Sequence, residues 1–421
     1  LFLLIMFLIG FGIKNAIWPL HTWLPDAHAE AVSPFSAILS GILVRMGIYG
    51  FVLVMYTVVG LSLLQRLGYG ILNFNYILCW IGAISIIIGT FIALLQNDDK
   101  RLLAWHAIGQ GGYMILGISF GTTLGIAGGI FHTLNHCIYI ALLFLVTGAV
   151  EYRTGGVRDL NQLGGLIKKM PVTFIGGLIG ISGLIGIPLT NGFVSKWLIY
   201  KTLIMEKYPF LAFVALIGTW GTILSVYKFL HNIFLGQLPE KYKDVKEVPW
   251  AMRLPMILLS LAIILFGILP GIPLNVISGI ERFFGIKPLS TIIFGMPREI
   301  GELNIINILA AIVVAGVFIY LIFSLSTRSR RVNQYDNYAA GSFIPKDKYQ
   351  YSVRFYDPVY RIIGPYLRDV VDDFYYWLVE KSKSFFQGVR QIYTGNVNTY
   401  ALYILLFLAF LIITKIGWGL W

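Results

Sequence analysis

The chain has 421 residues, of which 57% are hydrophobic and only 12% charged, with a formal net charge of +12. Soluble domains carry about 25% charged residues, so too little polar surface remains here to coat a water-soluble globule. Continuous apolar runs reach the ~20 residues that a helix needs to cross a bilayer, which excludes the alternating pattern of a membrane β-barrel and implies an all-α polytopic membrane protein.

Residue 1 is Leu and an apolar run starts at once, without the basic leading region of a signal peptide; the chain is read as lacking its natural N-terminus. Hydrophobic segments are predicted near 1–20, 34–64, 75–97, 103–121, 124–150, 171–205, 209–235, 254–274, 303–325 and 398–420. Two of them are interrupted. The first ends in Ile17-Trp18-Pro19-Leu20 with Pro25 following, and 171–205 is broken by Gly186-Ile-Pro188-Leu-Thr-Asn-Gly192. Broken backbone at membrane depth is tolerated only where protein or a wet cavity surrounds it. A lysine beside each break, Lys14 and Lys196, makes a transporter-like pattern, with a pair of ordinary proline kinks as the alternative. Cys79 and Cys137 sit in separate apolar runs and read as small packed hydrophobes rather than a disulfide or a metal site.

Loops 98–102, 151–170, 236–253 and 326–397 hold 21 lysines and arginines, against five (Arg66, Lys207, Arg282, Lys287, Arg298) on the other side. The positive-inside rule puts the first set in the cytoplasm. The excess charge is thus a topology signal, and no aromatic-basic motif for nucleic acid accompanies it. The other six cations, Lys14, Arg45, Lys196, Lys201, Lys228 and Lys415, lie within apolar segments, whereas all 20 acidic residues fall in loops or at helix ends. Buried cations persist only when paired or hydrated. The imbalance predicts water, carbonyls, or carboxylates on missing helices or on other subunits as their partners.

His132 and His136 share one helix face, and imidazoles facing a wet interior can pass protons. A metal at this pair lacks further ligands, and a hydrogen-bonded packing pair is the main alternative. His106 is a lone helical histidine, usually structural. Lys14 and Lys196 can act as switching sites because lysine releases its proton when desolvated. Arg45 keeps its charge and serves as a fixed bias or anion clamp. Lys228, near a helix end, either snorkels or joins the pathway. Motifs for phosphate binding, iron–sulfur ligation or nucleophilic catalysis are lacking, so cofactors and redox chemistry are assigned to partner subunits. After a basic connector (Arg328, Arg330, Arg331, Lys346, Lys348), apolar residues from Val359 to Ile392 recur mostly at three- and four-residue spacing. They form one face of an amphipathic helix, kinked or started at Gly364-Pro365, before the final span 398–420.

Lys14-Asn-Ala-Ile-Trp-Pro-Leu-His-Thr-Trp-Leu-Pro-Asp-Ala-His28, Ser33-Pro-Phe-Ser-Ala37, Asp98-Asp-Lys-Arg-Leu-Leu-Ala104, Asn135-His136 with Ala141-Leu-Leu-Phe144, and Asn191-Gly-Phe-Val-Ser-Lys196 together resemble the antiporter-like proton-translocating subunits. These occur in respiratory complex I, membrane-bound hydrogenases and multisubunit sodium/proton antiporters. The resemblance covers roughly 1–325. The tail, with Tyr393-Thr-Gly-Asn396 and Tyr400-Ala-Leu-Tyr403, is similar to the hydrogenase-type branch, which has a lateral helix and a final anchor. It implies an antiporter-like inverted-repeat fold with two discontinuous helices carrying Lys14 and Lys196. It also implies about six absent N-terminal helices, one bearing a glutamate that would pair with Lys14. Three regions are expected: a membrane core 1–325, a connector with lateral helix 326–397, and an anchor 398–421. Two positions depart from the family: Arg45 where lysine is frequent, and Ile140 where lysine follows the histidine by four residues. The implied function is ion translocation, of protons or sodium, along Lys14, His132, His136 and Lys196, with Arg45, His106 and Lys228 as further pathway candidates. The setting is a redox-driven complex with iron–sulfur clusters in its peripheral redox subunits and other antiporter-like membrane subunits as neighbours. A stand-alone antiporter subunit or a structural spacer with impaired pumping are the alternatives.

Overall fold

The computed structural model describes residues 2–64, 66, 68–69, 72–297, 302–325, 353–366 and 370–418. The basic connector residues Arg328, Arg330, Arg331, Lys346 and Lys348, together with Arg298, Leu367, Arg368, Asp369 and the side chain of Lys415, lie outside what is described.

Helix α1 (Phe2–Asn15) is followed by the short α2 (Trp23–Glu30) and by α3 (Ser33–Val59), whose course includes π-turns at Leu39–Leu43 and Leu53–Val59. Then come α4 (Phe74–Leu95), α5 (Asp99–Ser119) and α6 (Thr123–Thr154). Each of these three starts on a side-chain cap: Asn73 accepts from Asn75 N, Asp98 from Arg101 N and Thr122 from Gly125 N. Helix α6 ends at Gly155, whose left-handed backbone (φ 76°) turns the chain. Helices α7 (Pro171–Ile185) and α8 (Asn191–Met205) are the two halves of the second interrupted segment. They are followed by α9 (Pro209–Leu235), α10 (Trp250–Ile268), α11 (Gly271–Phe283) and α12 (Ile305–Leu325).

At the centre stands α5, buried from Leu102 to Ser119 on every side and clasped by α4, α6 and α9. Close crossing with α4 depends on small residues: a Cβ on Gly112 would lie 2.4 Å from the carbonyl oxygen of Gly82. Enclosure explains how a helix with a charged first turn is accommodated. Seven helices among the described residues are long and apolar enough to cross a membrane, namely α3, α4, α6, α9, α10, α12 and the terminal helix, and α1 and α7 are shorter apolar helices.

The expected segment 254–274 is two helices, because Pro270 supplies no backbone donor and α10 stops at Ile268. The second, α11, packs on α6 and brings Leu274 and Ile277 into one apolar cluster with Val194 and Leu198 of α8. A helix-end position also does not keep every acidic residue in solvent: Asp99, in the first turn of α5, and Glu281, in the last turn of α11, are both fully buried. Glu281 accepts a hydrogen bond from Leu289 N at 2.7 Å, and burial pushes its carboxyl up to about 7, with that bond acting in the opposite direction.

In the first compact unit the chain reaches α13 (Asp357–Ile363), followed by a 3-10 turn at Gly364–Tyr366, where the sequence predicted a start or kink. The second unit holds α14 (Val370–Arg390) and α15 (Val397–Trp418). The patterned stretch thus forms its main helix from Val370 rather than Pro365, and α14 leaves Phe374, Trp377, Leu378 and Phe385 exposed.

Candidate functional site

The second break sits inside the bundle. Gly186 (φ 87°) closes α7 with hydrogen bonds from its own N and from Ile187 N to Ser182 O. Thr190 Oγ1 donates to Ile187 O at 2.7 Å before α8 begins. Gly192 lets the halves meet, since a Cβ there would stand 1.8 Å from Gly183 O. The last carbonyls of a helix have no intrahelical donor and carry its negative dipole end. Lys196, buried, supplies the missing donor: its ammonium donates to Leu184 O at 2.9 Å and Ile185 O at 3.1 Å. The ammonium also lies 4.8 Å from the Tyr113 ring centroid, a cation–π placement.

One residue before Lys196, Ser195 leads into a polar network on α6 and α5. Ser195 Oγ is 3.0 Å from His132 Nδ1, and His132 Nε2 is 2.9 Å from Gln110 Oε1. Because a carbonyl oxygen only accepts, a neutral His132 carries its proton on Nε2 and accepts from Ser195 at Nδ1. Asn135 Nδ2 donates to Asn191 O and to Ser195 Oγ, fixing α6 against the start of α8. Tyr139 OH lies 3.5 Å from both Gln110 Oε1 and His132 Nε2, and its ring meets that of His136 edge-on with centroids 5.3 Å apart. His136 is fully buried, and neither of its ring nitrogens has a hydrogen-bond partner among the described residues. His106 Nε2 lies 2.8 Å from Ser225 Oγ, and the ring is within electrostatic reach of Lys196.

Elsewhere the expected residues are placed differently. Buried Arg45 donates to Asn15 Oδ1 at 2.7 Å and to Ala107 O at 2.9 Å, immediately after a π-turn of the kind often found at functional positions. Lys14 is exposed on this chain and does not converge with the histidines or Lys196. The ammonium of Lys228 donates to Leu94 O, Gln96 O and Asn97 Oδ1, capping the end of α4. Sequence reasoning passed over Gln110, Tyr113 and Tyr139. The usable signal was a glutamine and a tyrosine in an otherwise small-residue, apolar helix. Among the described residues, no group of three or more histidines, cysteines or acidic residues is placed to hold a metal ion.

Residues 1–223 match the family model described as the transmembrane region of NADH:quinone oxidoreductases and Mrp antiporters. Hydrogenase-4 component B of Escherichia coli is 32% identical over 70% of this chain and 46% of its own length. NADH-quinone oxidoreductase subunit M of Rickettsia conorii is 33% identical over 64% of this chain and 53% of its own. The chain therefore spans about half the length of these curated relatives. Among solved structures, the membrane-bound sulfane sulfur reductase, an archaeal respiratory membrane complex, matches 97% of this chain and 68% of the matched chain with a TM-score of 0.83 and 29% identity. The Mrp complex of Dietzia matches 65% and 57% respectively, with a TM-score of 0.58 and 26% identity. With more than half of its length matched by the family model and its fold shared with these assemblies, the chain is a membrane-embedded member of the NADH:quinone oxidoreductase and Mrp antiporter family.

Proposed function

We propose that this chain is the ion-translocating membrane subunit of a redox-driven respiratory complex, of hydrogenase or sulfane-sulfur-reductase type. The single observation that carries the reading is the buried ammonium of Lys196 on the last carbonyls of α7, one residue from the Ser195–His132–Gln110 network. This lysine is held by carbonyl dipoles and an aromatic face, with no carboxylate paired to it among the described residues, so it can take up and release a proton. His132 can relay a proton through its two nitrogens, and His136 extends the line along α6. Arg45 contributes fixed positive charge to the first half, His106 tunes Lys196, and Lys228 chiefly holds α4. Lys14 faces outward and finds its counter-charge on another helix of the assembly. The transported ion is a proton or sodium, and iron–sulfur clusters in peripheral subunits supply the electrons.

The lysine–arginine asymmetry supports a cytoplasmic position for loops 98–102, 151–170 and 236–253. Helix α14, with its exposed apolar face, is read as a lateral helix along neighbouring membrane subunits. Residues 1–325, 326–397 and 398–421 then act as core, connector and anchor. The near-complete likeness to the sulfane sulfur reductase chain favours this setting over a stand-alone antiporter, whose likeness is confined to about two thirds of the chain. Affinity purification from the native membrane tests it: iron–sulfur and other redox subunits should co-purify. Recovery of small membrane subunits alone would favour the stand-alone antiporter.

A further inference from the structure

Helix α6 links the buried histidines to the basic-loop face, and a second line of ionisable residues runs beside it. At its end Glu151, 28% exposed, pairs with the buried Lys100 at 2.8 Å and accepts from Ser33 Oγ at 2.9 Å. Lys100 also donates to Ala31 O at 3.2 Å. Beside it Asp99 is fully buried, with neither carboxyl oxygen hydrogen-bonded among the described residues. Further in, His28 of α2 is fully buried and stacks on Phe144 of α6, centroids 4.6 Å apart and planes at 20°. Neither His28 nitrogen has a hydrogen-bond partner among the described residues. Arg45, Lys100 and His136 lie within electrostatic reach of His28.

Helix α6 serves as a ruler. Phe144 lies between His136 and Glu151, roughly 12 Å and 10 Å from them along the axis at ~1.5 Å per residue. His28, stacked on Phe144, therefore divides a gap too long for direct transfer into two spans, each of which water must bridge. A packing histidine needs one face in contact. This one in addition keeps both nitrogens unengaged between a partly exposed carboxylate pair and a buried imidazole.

We propose that His28 is a proton relay that loads the central axis from the basic-loop face, with Glu151 as the acceptor from solvent and Lys100 as its gate. Glu151 takes a proton from water and loses its ion pair with Lys100. The proton then passes to one ring nitrogen of His28 while the other nitrogen releases one toward His136. Tautomer exchange restores the ring, and no electron moves. This rests on the ion-transport reading above, and the test separates the two.

In inverted membrane vesicles holding the assembled complex, electron flow is followed as oxidation of a reduced viologen dye. Ion movement is followed with a pH-sensitive dye and radiolabelled sodium. His28→Gln keeps a polar side chain but cannot titrate. It should remove most of this subunit's share of the protons moved per electron, and make the ratio fall more steeply as external pH rises. Glu151→Gln should do the same, and Glu151→Asp should restore the ratio; mere packing defects would not follow external pH. If His28→Gln prevents assembly, Glu151→Gln carries the test. Wild-type ratios at every external pH for the assembled variants, with Lys196→Ala impaired, would overturn the relay and leave the transport reading standing. A wild-type ratio in Lys196→Ala as well would overturn that reading itself.

Discussion

The two interrupted helices satisfy their freed backbone groups in different ways. At the first break the chain satisfies itself: Ile17 N donates to Gly12 O, and Ala16 N and the Trp23 indole donate to Ile13 O. Lys14 is not needed there and lies exposed, while the buried cation of that half is Arg45, tied to Asn15 and Ala107. At the second break two carbonyls are left over, and Lys196 takes both. The same sequence signature, a lysine near a break, thus stands on an open face of this chain in one half and is buried within it in the other. The difference lies in enclosure, since α8 is packed by α6, α10, α9 and α7, whereas one side of α1 is open.

The sharpest way to break the comparison is Gly192→Ala. Its Cβ would meet backbone at 1.8 Å, and overpacking of this kind costs ~3 kcal/mol or more. Gly12→Ala, by contrast, meets only side chains, the ends of Leu20 at 3.0 Å and Ile17 at 3.2 Å. Thermal unfolding of the purified complex should show a large loss for the first and a small one for the second. Next comes Arg45→Met, which leaves Asn15 Oδ1 and Ala107 O unpaired at about 1–3 kcal/mol each. Arg45→Lys should recover part of that loss in the same assay.

A smaller effect, confined to the second half, concerns pH. The Glu281 carboxyl sits at about 7 when folded, against an ordinary value of about 4.3 when unfolded. Its contribution to stability is complete below the unfolded value and is lost as pH rises through about 7. Glu281→Gln should flatten the melting-temperature profile across that window. Smallest of all, Trp23→Phe removes only the indole donor to Ile13 O, an effect of about 1 kcal/mol, and should leave the second break untouched by hydrogen exchange.

Both breaks were legible because proline and glycine act locally, and so was the His132–His136 face, because helical spacing fixes it. The terminal amphipathic helix was legible for the same reason, to within a few residues of its start. Burial was not. Nothing in one dimension distinguishes Lys14 from Lys196, since enclosure comes from helices distant in sequence. Lys228 sits near a helix end, yet its ammonium turns inward onto three acceptors of α4 and its loop. Asp99 and Glu281 occupy helix ends that other elements happen to cover. Gln110 and Tyr113 escaped notice because their roles depend on which face of α5 meets α6 and α8.

The most direct measurement is the number of ions moved per electron by the assembled complex carrying Lys196→Ala, with Lys228→Ala alongside. The account predicts loss of the share of ions carried by this subunit for Lys196→Ala and a clearly smaller loss for Lys228→Ala. An unchanged ratio in the assembled Lys196→Ala complex would contradict it.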